Sequence, residues 1–437
     1  MKKFGAIFLL IVFLAVPMPA QKRSAYFKAA FDANAWIQAS AIKTEQGTAW
    51  PANPLDPKSV SRNLYSGTPG VILFLLETYH STNNQYIPAL LDAKSGADYL
   101  MVNLDKEKEN GLYTGIAGIG FALTETYKAS KDDRYRQAAL RVTQILKDRA
   151  NRAGKGIEWN DTTDIIAGSA GIGLFLLYAA RELGDGSLQG IAADAGRRLI
   201  ELGQPEAGGT KWAMNKSFPR LMPNFSHGTA GIAYFLATLY QETKQKEFLD
   251  AALAGATYLK AVAKTDGDIC MIFHNEPEGK DLYYLSWCHG PAGTARLFYR
   301  LYQVTGDKAW MELVKKSARA IMKSGIPEKE TPGYWNNVSQ CCGAAGVGEF
   351  FLSLYQITKD KIYLEFIKRV TDNLLARSAK ENNGLKWIQA ENRRDPDVQI
   401  AQTGFMQGAA GIGMFLLRLD ARELNRKPGI TFPDSPF

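Results

Sequence analysis

The chain has 437 residues, of which 46% are hydrophobic, 22% charged and 11% aromatic. This is the composition of a folded globular protein and excludes a largely disordered or fibrous chain. The formal net charge is +8, but Lys and Arg are spread along predicted helical faces, with no dense basic run between aromatic residues. Nothing in the sequence therefore favours nucleic-acid binding.

The N-terminal segment has the pattern of an export signal. Lys2 and Lys3 precede an apolar stretch from Gly5 to Pro17, and Ala20 lies just before Gln21. This order of features predicts a signal peptide over residues 1–20, and the apolar stretch is short for a bilayer span. We expect an exported, periplasmic or extracellular protein with no membrane span after cleavage and a single domain over residues 21–437.

A Gly-x-x-Gly tetrad recurs seven times along the chain, each time followed by an apolar helical stretch. The tetrads begin at Gly67, Gly115, Gly168, Gly228, Gly290, Gly343 and Gly408. In five of the seven repeats, a Tyr also lies twelve residues after the first Gly. Because the similarity extends beyond the glycines, the sequence predicts a repeat architecture.

Each repeat is predicted to contain an inner helix followed by an outer helix. The stretch from Gly231 to Tyr240 is apolar on most faces, whereas Lys246–Lys260 and Lys308–Ile321 have one apolar face each. Seven such pairs predict an all-α (α/α)7 toroid with seven inner and seven outer helices. If the inner helices are parallel, their N-termini and the return loops share one mouth, where we expect the functional site.

The residues just before the tetrads carry three of the four cysteines. Cys288 and Cys341 hold equivalent positions in consecutive repeats, and Cys342 follows directly. Three thiolates with an open fourth position are typical of a catalytic zinc site. Two alternatives remain: Cys270 and Cys288 form a disulfide, or His289 replaces one thiolate as a ligand.

Two further residues are candidates for proton transfer. His227 directly precedes the fourth tetrad, one repeat before Cys288 and at the same depth in the mouth, where it can exchange protons with a substrate at the metal. Asp164, four residues before Gly168, can cap a helix or orient the reacting groups. His274 precedes Cys288 in a return loop and has no assigned role.

In combination, these motifs resemble the lanthionine synthetase C-like cyclases, zinc proteins with a seven-fold double ring of helices. The resemblance extends from about residue 60 to residue 420 and includes the tetrads, Ser226-His227-Gly228, Trp287-Cys288, Cys341-Cys342-Gly343 and Asp164. It implies that Cys288, Cys341 and Cys342 bind Zn²⁺ and that His227 and Asp164 are the catalytic acid–base residues. The implied reaction adds a thiol to a dehydroamino acid in a peptide or protein.

The sequence departs from the commonest family pattern at two site positions. Cys342 lies where most members have His, and His289 where many have an aromatic residue, although a Cys-Cys-Gly variant also occurs in the family. The export signal is a further departure, because the cyclases that mature peptide antibiotics act inside the cell.

The sequence is also consistent with two other functions. One is an exported zinc-dependent protein that binds glutathione or another small thiol. The other is a glycoside-hydrolase-like enzyme on the same kind of helical ring, with Asp161 and Asp164 as its carboxylate pair.

Overall fold

The structure, a computed structural model, describes residues 23–215, 217–218 and 221–437. The predicted signal peptide at residues 1–20 lies outside the described residues and stays a prediction. Among the helices that are described, none is long and apolar enough to cross a membrane.

Fourteen α-helices are present in the described part of the chain. In chain order they are α1 (Ala25–Ala39), α2 (Thr68–Ser81), α3 (Ile87–Met101), α4 (Ile116–Ser130), α5 (Asp133–Arg149), α6 (Ser169–Leu183), α7 (Ser187–Leu202), α8 (Thr229–Thr243), α9 (Lys246–Val262), α10 (Pro291–Thr305), α11 (Lys308–Lys323), α12 (Ala344–Thr358), α13 (Lys361–Ala376) and α14 (Ala409–Glu423). The even-numbered helices form the inner ring and the odd-numbered helices the outer ring, which confirms the predicted (α/α)7 toroid.

Burial follows this division into two rings. Helix α8 is buried without interruption from Thr229 to Leu239, as expected of a helix surrounded by protein on all sides. Helix α11 instead buries one stripe that includes Trp310, Val314 and Ile321. The first Gly of each tetrad is the residue that precedes its inner helix, as Gly228 is for α8.

The seventh pair differs from the prediction that every outer helix follows its inner helix. The outer partner of α14 is α1, from the opposite end of the described chain. Helix α1 buries Ala33, Trp36 and Ile37, and Ser24 before it donates a hydrogen bond of 2.7 Å to the buried Asp420 of α14. The ring is therefore closed by joining the first described helix to the last.

Four short antiparallel hairpins follow outer helices α1, α5, α7 and α13. They are β1 (Ile42–Thr44) with β2 (Gly47–Ala49), β3 (Asn151–Ala153) with β4 (Gly156–Glu158), β5 (Gln204–Glu206) with β6 (Gly209–Lys211), and β7 (Ser378–Glu381) with β8 (Gly384–Trp387). A fifth pair joins β9 (Gln389–Ala390) to β10 (Gln399–Ile400). In three hairpins a Trp at or just after the second strand donates its indole N–H to the preceding outer helix: Trp159 to Leu146, Trp212 to Leu199 and Trp387 to Leu374.

The loops before the tetrads are joined by a closed circle of seven backbone hydrogen bonds. Each loop donates an N–H to the loop of the next repeat, and the last donates to the first. The bonds run from Tyr65 to Tyr113, Tyr113 to Ile166, Ile165 to Ser226, Ser226 to Cys288, Cys288 to Cys341, Cys341 to Met406 and Met406 to Tyr65, with N···O distances of 2.8 to 3.2 Å. The circle places equivalent positions of successive repeats side by side.

The segment after α14 packs inside the ring, from Glu77 in the C-terminal half of α2 to the loop before the seventh tetrad. Glu77 of α2 accepts hydrogen bonds from the backbone N–H groups of Gly429 and Ile430. The ring of Phe432 stacks on Phe405 with centroids 4.6 Å apart. The segment after α14 therefore fills the inside of the toroid, behind the loops that precede the tetrads.

Close packing at the tetrads gives a stability prediction. A Cβ added at Gly228 would lie 1.4 Å from the carbonyl oxygen of Met222, whereas one added at Gly186 meets nothing within 4 Å. Gly228→Ala should lower the free energy of unfolding by about 3 kcal/mol, because the backbone must move. Gly186→Ala, the matched control, should change it by less than about 1 kcal/mol. Denaturant unfolding of both variants tests this, and equal stabilities would contradict it.

Candidate metal centre and active site

Cys288, Cys341 and Cys342 form a cluster that could hold a metal ion. Their Sγ atoms all lie within 4.8 Å of one another, with Cys288 3.1 Å and Cys341 3.3 Å from the sulfur of Cys342. The backbone bond from Cys288 N–H to the Cys341 carbonyl, 3.0 Å long, brings the two repeats together. Within the described residues this is the one cluster of at least three His, Cys, Asp or Glu side chains with that spacing.

The fourth cysteine lies apart from this cluster. Cys270 is a buried free thiol, and burial raises its pKa to about 11. All four cysteines are free thiols. Cys270 and Cys288 therefore do not form the disulfide that the sequence left open.

The Cys341 sulfur also accepts a hydrogen bond from Tyr65, with an O···S distance of 3.1 Å. Gln407 Nε2 in turn donates to the Tyr65 hydroxyl at 3.0 Å. The pKa of the Cys341 thiol lies well below its usual range, because Cys288, Cys342 and then Tyr65 donate hydrogen bonds to its sulfur. The cluster therefore favours at least one thiolate even without a metal ion.

His227 and Asp164 form a hydrogen-bonded pair. The Nδ1 atom of His227 lies 2.6 Å from Oδ2 of Asp164. The other Asp164 oxygen accepts hydrogen bonds from the backbone N–H groups of Ala167, at 2.8 Å, and Gly168, at 2.9 Å. The carboxylate is 1% exposed, so it is held rigidly before α6 and fixes the orientation of the imidazole.

The pair keeps His227 basic in spite of its burial. Burial lowers the pKa of His227, but the hydrogen bond and the negative charge of Asp164 outweigh it, so the net pKa is raised. Because Nδ1 is bound to Asp164, Nε2 is the nitrogen left to exchange a proton with another molecule. The side chain remains 30% exposed and lines the cavity of the site.

Two more imidazoles extend the site beyond His227. The ring centroid of His289 lies 4.4 Å from that of His274 and 5.6 Å from that of His227. Burial, then the nearby His274 and His227, lower the pKa of His289 well below its usual range. His289 is not a member of the cluster of potential metal ligands. The structure therefore gives no support to the alternative in which His289 replaces a thiolate as a zinc ligand.

A loop between β9 and β10 forms part of the wall of the site. Arg393 in this loop donates a hydrogen bond from Nε to the hydroxyl of Tyr284, 3.0 Å away. Burial raises the pKa of Tyr284 to about 12, so the hydroxyl stays protonated. Glu391, Arg393 and Asp395 give the rim charges of both signs.

Most of the side chains of this site line one cavity of about 520 Å³. The three clustered cysteines, His227, His289 and Tyr65 are among its lining residues. The repeat positions before the tetrads do not all face this cavity, as Tyr113 and Met406 line a second space behind it. The cysteines and His227 are thus predictable from the sequence, whereas the contacts of Tyr65, Gln407, Tyr284 and Arg393 appear only in the folded structure.

The proposed glycosidase pair, Asp161 and Asp164, is not brought together around one cavity. Asp164 is buried against His227, whereas Asp161 is exposed and lines a different depression with Glu158. This geometry weighs against a carboxylate pair acting on a sugar.

A model of the family described as lanthionine synthetase C-like protein matches residues 58–432. The chain belongs to this family. A curated relative, "Glutathione S-transferase LANCL1" of Danio rerio, is 27% identical over 139 residues, which are 32% of each chain. The match therefore spans about a third of that relative's length.

Solved structures share the toroid at low sequence identity. A structure named "Nisin cyclase" is 15% identical with a TM-score of 0.65, over 93% of this chain and 96% of its own. A family 76 glycoside hydrolase from a bovine Bacteroides thetaiotaomicron strain is also 15% identical, with a TM-score of 0.50 over 92% and 78%. At these identities the similarity shows the fold alone, so the function has to be argued from the site.

Proposed function

We propose that this protein is an exported, zinc-dependent enzyme that adds a thiol to a dehydroamino acid in a peptide or protein substrate. The observation that carries this proposal is one cavity lined by three clustered thiols and by His227, whose imidazole is hydrogen-bonded to the buried Asp164. Membership of the lanthionine synthetase C-like family supports it, and the similarity to a nisin cyclase suggests a peptide substrate.

The donor set fits Zn²⁺. Zinc binds thiolates at about 2.3 Å in a tetrahedral arrangement, which places the sulfur atoms about 3.8 Å apart. The 3.1 and 3.3 Å contacts of Cys342 are somewhat shorter, so a small outward rotation of these side chains would accommodate the ion. Three thiolates leave a fourth position for the sulfur of a substrate.

Zinc bound by Cys288, Cys341 and Cys342 would favour the thiolate form of a substrate thiol. The thiol proton passes to Nε2 of His227, and attack of the sulfur on the β-carbon of a dehydroamino acid forms the C–S bond, breaks the C=C π bond and leaves an enolate. His227 then delivers a proton from Nε2 to the α-carbon of the enolate, while Asp164 holds the imidazole by Nδ1. The N-termini of the inner helices at the site favour the transient negative charge.

Metal analysis and one assay test this proposal. The purified protein should contain one zinc per chain by elemental analysis. A peptide with dehydroalanine and a free cysteine should lose its reactivity toward iodoacetamide as the thioether forms, without a change in mass. A dehydroalanine peptide mixed with a separate thiol should instead gain the mass of that thiol. Absence of both reactions from zinc-loaded protein would overturn the proposed activity.

The second candidate function is that of a zinc-dependent protein that binds glutathione or another small thiol. The Danio rerio relative is named as a glutathione S-transferase, and the charged rim formed by Glu391, Arg393 and Asp395 suits a small zwitterion. Tight glutathione binding by calorimetry, with no product from either peptide, would favour this candidate.

Export is a separate proposal with its own test. Fractionation of the source cells should recover the protein outside the cytoplasm, with Gln21 as its first residue by N-terminal sequencing. Recovery of the uncleaved chain from the cytoplasm would contradict it.

Cys342 provides a prediction about reactivity. A third thiolate donates more electron density to zinc than a neutral imidazole, which leaves a bound substrate thiolate more nucleophilic. Cys342→His should therefore retain zinc and slow thiol addition by about 10-fold. Zinc content and the addition rate are measured on the same preparation. Full metal content with an unchanged rate would show that Cys342 is not a ligand.

A further inference from the structure

Tyr65 and Gln407 come from the first and last repeats, yet their side chains meet at the thiol cluster. Tyr65 lies two residues before its tetrad, the position that Cys341 holds in the sixth repeat, and Gln407 directly precedes the seventh tetrad. The circle of backbone bonds joins these loops, with Cys341 N–H donating to Met406 and Met406 N–H donating to Tyr65. Ring closure thus brings a phenol and an amide to a sulfur that lies far away in sequence.

The hydrogen bonds give the Tyr65 hydroxyl a defined direction. Gln407 Nε2 can only donate, so the Tyr65 oxygen accepts at 3.0 Å and its single proton is left for Cys341, at 3.1 Å. Gln389 holds the Gln407 backbone by donating from Nε2 to its carbonyl oxygen. Gln389 Oε1 also accepts the Val338 N–H at 2.7 Å, so the donor chain is anchored in two repeats.

The charge of the proposed centre explains what such a donor would do. Three thiolates around a divalent ion leave one net negative charge, and a substrate thiolate in the fourth position would add a second. Charge of this kind in a buried site needs hydrogen-bond donors, because its hydration has been removed. Among the described residues, the Tyr65 hydroxyl is the one non-thiol side chain that donates to a sulfur of the cluster.

We propose that Tyr65, oriented by Gln407, is a positioning residue that keeps the Cys341 sulfur on the metal by donating an O–H···S hydrogen bond. This inference rests on the proposed metal centre and adds to it a specific outer donor. The bond withdraws electron density from the sulfur, so an electrophile or a proton competes less well with the metal for its lone pair. The hydrogen bond thus offsets part of the negative charge that Cys342, as a third thiolate, adds to the site.

Tyr65→Phe removes the hydroxyl and leaves the ring in place. We expect zinc to transfer to a chelator about 10-fold faster than from the unchanged protein. Iodoacetamide should alkylate Cys341 faster, as read by peptide mass mapping. In the cobalt-substituted protein, the thiolate-to-metal charge-transfer band should move to longer wavelength, because the sulfur lone pair is higher in energy. None of these measurements depends on turnover.

Two further variants separate this role from a general loss of packing. Gln407→Glu presents only acceptors, so it should turn the Tyr65 proton away from sulfur and reproduce the changes of Tyr65→Phe with the phenol present. Tyr113→Phe is the matched control at the equivalent position of the second repeat, where the side chain lines the space behind the site. It should leave the cobalt band and the alkylation rate unchanged.

The outcomes distinguish this inference from the proposed function. If the unchanged protein binds neither zinc nor cobalt, the proposed metal centre fails. If it binds both metals and Tyr65→Phe shows the same chelator rate, alkylation rate and cobalt band, the inference alone is wrong. A Tyr65→Phe protein that does not fold leaves Gln407→Glu to decide, and an unshifted band in that variant also overturns the inference.

Discussion

Replacing Cys288 or Cys341 with alanine is expected to release the metal and abolish thiol addition, while the toroid stays folded. Each change removes one of three clustered sulfur atoms, and two remaining thiolates do not form a stable tetrahedral zinc site. The fold should survive these changes, because the cysteines lie in the loops before the inner helices, and most of the core is supplied by apolar side chains of the helices themselves. Zinc should fall below about a tenth of the unchanged level, and activity at least 100-fold.

Cys270→Ala is the matched control for these variants. Cys270 is a buried free thiol that lies outside the cluster, so its loss should keep full zinc and full activity. Elemental analysis and circular dichroism on all three proteins separate metal loss from unfolding. Full zinc in both Cys288→Ala and Cys341→Ala would exclude the cluster as the metal site.

The repeat was predictable from sequence because each inner helix has the same requirement at its start. A second tetrad glycine such as Gly231 lies so close to the loop before it that an added Cβ would be 2.1 Å from the Phe225 carbonyl oxygen. That steric requirement recurs in every repeat and leaves a visible pattern. Equivalent positions then imply neighbouring residues, which is why Cys288 and Cys341 could be paired in advance across 53 residues.

The closure of the ring was not predictable in the same way. Helix α1 has no tetrad before it, since it is an outer helix whose inner partner α14 lies at the other end of the described chain. Its apolar stripe, with Trp36 and Ile37 buried, is typical of any amphipathic helix and names no partner. The hairpins were also missed, because each strand has only two to four residues, too few to show an alternating pattern.

Within the site, the residues that can be predicted from the sequence are those with a distinctive chemistry, whereas the residues that act through them cannot. Cysteine and histidine are rare in this chain, with four of each, so their positions before the tetrads were noticeable. Tyr65 and Gln407 belong to common residue types, and their role depends on a 3.1 Å contact with Cys341 that only the folded ring creates. Arg393 reaches Tyr284 from a return loop that has no counterpart in the repeat.

The second large effect is expected for His227. His227→Asn should retain zinc and slow turnover by about 10² to 10⁴-fold, the usual range for a positioned general acid. Asparagine can still donate a hydrogen bond to the Asp164 carboxylate, so that buried charge is not left unpaired. Asparagine cannot, however, deliver a proton to an enolate.

Asp161→Asn, at an exposed position three residues before Asp164, is the control and should keep the full rate. Consumption of a dehydroalanine peptide, followed by mass spectrometry with zinc content measured in parallel, gives the comparison. An unchanged rate in His227→Asn would assign His227 to structure alone, whereas loss of zinc would make it a metal ligand.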